Sequence, residues 1–297
     1  MKQRIDLHIH TTISDGTFSP FEVIDEAKLN GVSVISIADH DTIDEYTEEF
    51  YHYARSNKIK IINGVEISTK SHGVGIHVLG YNIDIKSEEL KNSLYRLRNI
   101  RHKYLHDVGT KLEKIGYRLN IDELDKIDTV TKAHIAINII SDPKNKELLL
   151  KEFNHIPKKG EFIESIMNEG CKAYVEKDYI TPLDAANIIR KAGGKVVLAH
   201  PVAYIRQDGL TEQDILEIIK EMNADGIEAN YVFIDKNRKK YNESEEWNRF
   251  AKENGLLATI GSDFHYKDDI HPKIGLVNEN INLTEAEIDN IISTLSK

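Results

Sequence analysis

The sequence predicts a parallel α/β fold interrupted by a helical insertion, and three observations carry that expectation. Seven short runs rich in Val and Ile (residues 5–9, 32–38, 59–62, 74–81, 196–199, 226–229 and 257–260) have the apolar character of strands buried on both faces. Helical patterns with start and stop signals separate the runs at both ends of the chain. From about residue 87 to 171 the alternation gives way to long polar helical segments with no strong strand among them.

Taken in order, the first run leads to Ser19, an N-cap residue with Glu22 three positions on and Pro20 opening the helix. Gly31 stops that helix, so the first two runs frame a βαβ unit. Segments 87–116, 121–126, 132–141 and 161–169 read as the helices of the insertion. Thr181-Pro182 then pairs an N-cap with proline at the first helical position, and the helix ends at Gly193-Gly194. The expected organisation is one body built from residues 1–86 and 172–297, with 87–171 inserted as a lid. No internal repeat or low-complexity tract is present, and Pro and Gly are too sparse to mark a flexible linker.

Composition narrows the function. A chain of 297 residues, 40% hydrophobic and 30% charged, can bury a core without disulfides and is neither disordered nor fibrous. No apolar run reaches the roughly 18 residues of a membrane span, and MKQRIDLHIH lacks the pattern of a signal peptide, so a cytoplasmic location is expected. Cys171 is the only cysteine, which excludes an internal disulfide and a thiolate metal cage. The net charge of −10 opposes binding to extended duplex nucleic acid. A phosphate ligand therefore needs a local positive source.

The 13 histidines point to one. In DLHIH, His8 and His10 alternate with Ile9 and project from the same strand face, a metal-binding half-site, and Asp15-Gly16 follows in a loop able to fold a carboxylate back. Ligand-type residues then recur at successive runs: His40 in ADHD, Glu66 in GVEIS, His77 in GIHVLGY, His200 in VVLAHP, Glu228 in GIEANY, and Asp263 with His265 in TIGSDFH. In a barrel of parallel strands such ends converge on one face. A shared polynuclear metal site follows.

These motifs, taken in order from DLHIHTTISDGTFSP to GSDFH, resemble those of the polymerase and histidinol phosphatase (PHP) superfamily of metal-dependent phosphoesterases. The inserted helices followed by AYV and AGGKVVLAHP resemble the branch acting on nucleoside phosphates and the 5′ ends of short RNAs. The resemblance implies a distorted (β/α)7 barrel and three divalent ions, with zinc, manganese and iron all compatible with the donor set. It implies His8, His10, Glu66 and Asp263 at the first ion, Asp15, His40 and His200 at the second, and Glu66, His77 and His265 at the third. The ions outweigh the three carboxylates and leave a positive surplus for a phosphate. The nucleophile implied is a metal-bound water, and no side-chain nucleophile is assigned.

Thr131-Lys132-Ala133-His134 resembles a family segment reading Gly-Arg-Pro-His, which assigns Lys132 and His134 to the substrate phosphate. Lysine there loses the bidentate fork of arginine. Asp39 and Asp41 each have two readings, orienting a ligand or capping a helix, and for Asp41 the cap is favoured. Glu228 reads as a hydrogen-bonding partner, and Arg96, Arg98, Arg101 and Lys103 as a solvated face. The function expected is hydrolysis of a phosphate ester on a nucleotide or short oligonucleotide end. Its alternatives are a histidinol-phosphate-type phosphatase and a noncatalytic metal-stabilised binding module.

Overall fold

The computed structural model describes residues 4–235, 237–277 and 283–296. The chain divides into two compact units, Met1–Leu94 with Ile180–Lys297, and Tyr95–Tyr179.

The strands all belong to the first unit: β1 (Arg4–Ile9), β2 (Val32–Ile37), β3 (Lys60–Ile61), β4 (Gly64–Ser71), β5 (Val74–Tyr81), β6 (Lys195–Leu198), β7 (Gly226–Asn230), β8 (Val232–Ile234), β9 (Lys240–Asn242) and β10 (Leu257–Ile260). In chain order the helices are α1 (Pro20–Leu29), α2 (Glu48–Ser56), α3 (Glu88–Lys114), α4 (Ile121–Leu124), α5 (Lys132–Ser141), α6 (Lys146–Phe153), α7 (Lys159–Phe162), α8 (Pro182–Lys191), α9 (Pro201–Arg206), α10 (Glu212–Glu221), α11 (Ser244–Glu253) and α12 (Glu285–Leu295). Ser19 and Glu22 form the capping box of α1, and Thr181 and Asp184 that of α8, each with proline in the first turn. Both starts agree with the sequence.

The fold is mixed α/β, and its sheets correct the all-parallel expectation. One sheet is β1-β2-β3 and parallel, a second runs β10-β7-β6-β5-β4 with β5 antiparallel to both neighbours, and β8 and β9 pair as a small antiparallel third. The cause is a two-residue loop. Ser71 pairs with Val74, leaving His72 and Gly73 at φ of +52° and +80°, and a two-residue loop with positive φ at both positions closes an antiparallel hairpin. Residues 64–71, which lie outside the seven runs, thereby form a full strand with Glu66 inside it. Among the described residues, strand pairing does not close the sheets into a ring; isolated parallel bridges, Ile9 to Phe264 and His40 to Glu66, connect them. Alanine at Gly73 is expected to cost about 1 kcal/mol, because a Cβ disfavours its left-handed φ. A lower urea midpoint with unchanged m-value checks this.

Leu7, Val34, Leu79, Tyr81, Val197 and Ala199 are buried together in this unit's core. Alternation does the rest: on β1, Leu7 and Ile9 pack inward while His8 takes the other face.

The second unit has its own core around Leu105, Val108, Leu112, Ile139, Leu149 and Phe162. Helix α6 was not anticipated; it ends at Asn154 in the left-handed conformation (φ +61°). The segment read as one helix over 161–169 is α7 followed by a single π-helical stretch, Ile163–Met167. Arg101, read as part of a solvated face, is buried.

Candidate metal centre

All nine residues singled out as ligands lie in the first unit, and its strand ends bring them together. Glu66 on β4 is the centre. Five imidazole nitrogens stand within 3.4 Å of its carboxylate: His40 Nδ1 and His77 Nδ1 at 3.0 Å, His10 Nε2 and His200 Nε2 at 3.3 Å, and His8 Nε2 at 3.4 Å. Asp263 Oδ1 lies 3.2 Å from His10 Nε2 and 3.5 Å from His8 Nε2. Asp15 lies 3.3 Å from His265 Nε2, 3.8 Å from His10 Nδ1 and 3.9 Å from His40 Nε2.

This geometry regroups two of the ligands. His200, expected beside Asp15 and His40, faces Glu66 and packs 5.3 Å from the His77 ring; His265, expected with Glu66 and His77, faces Asp15 and stacks 4.1 Å from the His10 ring. Strand order is the reason. β6 lies beside β5, which carries His77, whereas the bridge from Ile9 to Phe264 sets the loop after β10 against the end of β1. Thr17 N–H donates to the His265 carbonyl at 2.7 Å and ties the Asp15 loop to it.

Surrounding residues fix the donors. Both Glu228 oxygens meet His8 Nδ1, at 3.1 and 3.2 Å, so the other ring nitrogen turns toward Glu66. Asp39 accepts from Thr11 N–H (2.8 Å), the Thr11 hydroxyl (2.5 Å) and the Ser14 hydroxyl, which holds the loop carrying His10 and Asp15. Asp41 is not a helix cap: α2 begins seven residues later with Thr47 as its cap, and the Asp41 carboxylate accepts Ser68 N–H at 3.0 Å.

Several supporting residues escaped the sequence reading. Asp6, fully buried, accepts Ser262 N–H (2.9 Å) and Gly275 N–H (2.8 Å) and so secures the turn that presents Asp263. Its position, two residues before His8 on the same strand face, was the available signal. The Tyr204 hydroxyl accepts His77 N–H at 2.8 Å, and the Tyr231 hydroxyl donates to Asp263 at 3.4 Å. His200 (φ +24°) and Asp263 (φ +52°) both hold strained backbone, of the kind that persists where surrounding contacts over-determine it.

The electrostatics are those of cation sites. Burial opposes ionisation of Glu66, Asp15 and Asp263, yet the surrounding imidazoles hold all three well below the usual carboxylate range. Burial likewise works against the charged form of His10, but Asp263 and Glu66 outweigh it and push its pKa up to about 10. His40 goes the other way, held down to about 4 by burial. The side-chain atoms fit divalent metal on their own terms. His8 and His10 aim their Nε2 atoms at each other across 3.1 Å, and the buried His40 Nδ1, His200 Nδ1 and Glu66 Oε2 atoms complete no hydrogen bond. Convergent imidazole and carboxylate lone pairs are the donor chemistry of zinc, manganese or iron. Within the cage, three groups bring donor atoms close enough together to hold an ion: His10, Asp15, His40 and His265; His8, His10 and Glu66; and His40, Glu66 and His77; a fourth such group among the described residues, His72, Asp214 and Glu217, lies elsewhere.

The two substrate-phosphate candidates lie in the second unit. Lys132 Nζ donates to Asn168 Oδ1 at 3.0 Å and stands 6.0 Å from the centre of the Tyr104 ring. His134 Nδ1 accepts Thr131 N–H at 3.1 Å, closing the capping box of α5.

Fold and cage together define a protein that binds divalent metal. The PHP domain family matches residues 6–297. A 5′-3′ exoribonuclease from Haemophilus influenzae is 31% identical over 268 residues, covering 90% of this chain and 91% of that protein. A 3′,5′-nucleoside bisphosphate phosphatase from Chromobacterium violaceum is 28% identical over 265 residues, covering 88% and 87%. A solved protein from Bifidobacterium adolescentis, described as a metal-dependent phosphoesterase, is alike in fold, with a TM-score of 0.76 over 99% of this chain and 96% of that one at 21% identity. The chain belongs to the PHP domain family and is a metal-dependent phosphoesterase. Among the described residues no helix is long and apolar enough to cross a membrane.

Proposed function

We propose that this enzyme hydrolyses phosphate esters of nucleotides, either mononucleotides or 3′,5′-bisphosphates, or trims the 5′ ends of short oligonucleotides. The observation that carries the reading is the gathering of five imidazoles and two further carboxylates around Glu66, in a chain alike over nine-tenths of its length to an exoribonuclease.

In this proposal the first unit forms a distorted seven-stranded barrel of the PHP kind, and three ions occupy its cage. His8, His10, Glu66 and Asp263 hold the first, Asp15, His40 and His265 the second, and Glu66, His77 and His200 the third, with Glu66 shared. When bound, such ions supply Lewis acidity toward phosphoryl oxygens and activate water near neutral pH. The chain's residues do the positioning. Glu66 sets the spacing of the imidazoles, Glu228 and Asp39 fix the ring and loop that present them, and burial of the cage keeps its charges strong. In the same proposal Lys132 and His134, from the helical segment 87–171, bind the substrate phosphate.

The test is hydrolysis by the manganese-reconstituted protein of 5′-mononucleotides, 3′,5′-bisphosphates, histidinol phosphate and short 5′-phosphorylated RNAs. A nucleotide or RNA is expected to give the highest kcat/KM; a preference for histidinol phosphate, or no hydrolysis, overturns the reading. Lys132→Ala is expected to raise KM about tenfold with kcat nearly unchanged, as loss of uniform phosphate binding should.

A further inference from the structure

We propose that Glu228 is a positioning residue that sets two cage histidines at once, His8 and His200, and so couples the metal sites they serve. The inference rests on the metal reading of the cage given above. Glu228 is the middle residue of β7 and is buried. Its two oxygens stand 3.1 and 3.2 Å from His8 Nδ1, and one of them also accepts the backbone N–H of His200 at 2.9 Å. These contacts act on different properties of the two ligands.

At His8 the effect is on the ring. A carboxylate accepts and cannot donate, so in the neutral ring that ligates metal the nitrogen facing it carries the proton, and Nε2 keeps its lone pair toward Glu66, His10 and Asp263. At His200 the effect is on the backbone. Its φ of +24° is sparsely populated for a residue with a side chain, and an accepted N–H on the strained residue helps hold the orientation that sends Nε2 to Glu66.

The fit around the carboxylate is tight. A Cβ placed on Gly261 would lie 2.2 Å from the Glu228 carboxylate and 2.3 Å from the His8 Cβ, so only glycine there lets Glu228 reach the ring. Three strands thus meet at one carboxylate: β1 brings His8, the end of β6 brings His200, and Gly261 follows β10. A glutamine in place of Glu228 has nearly the same shape but only one accepting atom. With that atom kept at the oxygen position that accepts the His200 N–H, its amide donor stands at the other, 3.1 Å from His8 Nδ1, and favours the His8 state with the proton on Nε2, the nitrogen aimed into the cage.

The experiment titrates Mn2+ into metal-stripped wild type, Glu228→Gln and Gly261→Ala by calorimetry, with thermal midpoints of the stripped proteins measured alongside. Wild type is expected to bind, and Glu228→Gln to bind roughly 10- to 100-fold more weakly at more than one equivalent. Its stripped midpoint should stay within a few degrees of wild type. Gly261→Ala, which displaces the carboxylate without removing it, should weaken binding in the same direction. As a second readout, NMR of the zinc-loaded proteins should show a protected His8 Nδ1–H in wild type that is absent from Glu228→Gln. Wild-type affinity in Glu228→Gln overturns the role of Glu228, and a loss confined to one equivalent overturns the coupling. A wild type that binds no Mn2+ overturns the metal reading itself, a distinct failure.

Discussion

Glu66→Gln is expected to lower kcat/KM for any phosphate ester the enzyme cleaves by roughly 10^3-fold or more, with a far-ultraviolet circular dichroism spectrum like that of the wild type. Metal catalysis contributes several kcal/mol of transition-state stabilisation, and each 1.36 kcal/mol is a factor of ten. Glu66 is the one carboxylate that five imidazoles share, and His77, His40 and His8 keep it ionised although it is buried. Glutamine has its shape without the charge and turns an amide donor toward nitrogens that must offer lone pairs. Metal content of the purified variant separates the explanations: a cage that needs the charge loses bound metal along with activity. Were Glu66 only a packing and hydrogen-bonding residue of β4, the near-isosteric amide would keep the metal and most of the rate.

The stations of these histidines and carboxylates were legible because each interrupts, ends or follows an apolar run. Their neighbours were not. A sequence orders the strands along the chain and says nothing of their order in the sheet, so the carboxylates that His200 and His265 face depend on the adjacency of β5 and β6 and on the bridge from Ile9 to Phe264. Hairpin chemistry explains the other error of the fold. His72-Gly73 lacks the Asn-Gly or Asp-Gly signature, so the loop was not recognised and residues 64–71 were left out of the strand count.

Residues that act by accepting hydrogen bonds were the least legible. Asp41 precedes a helix in sequence, and capping was the reading that frequency favours, yet its carboxylate reaches across to the backbone of β4. Asp6 and Asp39 hold backbone and hydroxyl donors far away in sequence, Ser262 in the first case and Thr11 and Ser14 in the second. Such pairings depend on tertiary geometry that no local pattern encodes. Arg101 shows the same limit in the helical unit, where a basic residue in a long polar helix turns out to be buried.

Chelation is expected to abolish hydrolysis, and restoring a divalent ion to release protons, with an affinity that rises as the pH is raised. Histidine must be neutral to ligate, so protons and cations compete for it. In the metal-free cage burial disfavours a charge on His10 and His8, but Asp263 and Glu66 overcome it at His10, and Glu228, Glu66 and Asp263 at His8, so the cage holds protons that a cation must displace. His10, with its pKa raised to about 10, stays protonated across the range from pH 6 to 8. His40, held down to about 4, is already neutral there and contributes none. Each proton displaced makes the apparent affinity about tenfold stronger per pH unit. Calorimetric titration of Mn2+ at pH 7 in two buffers of different ionisation enthalpy counts the protons directly. An observed heat independent of buffer would mean that the cage awaits its cation already deprotonated, contrary to the charge balance around Glu66 and Asp263.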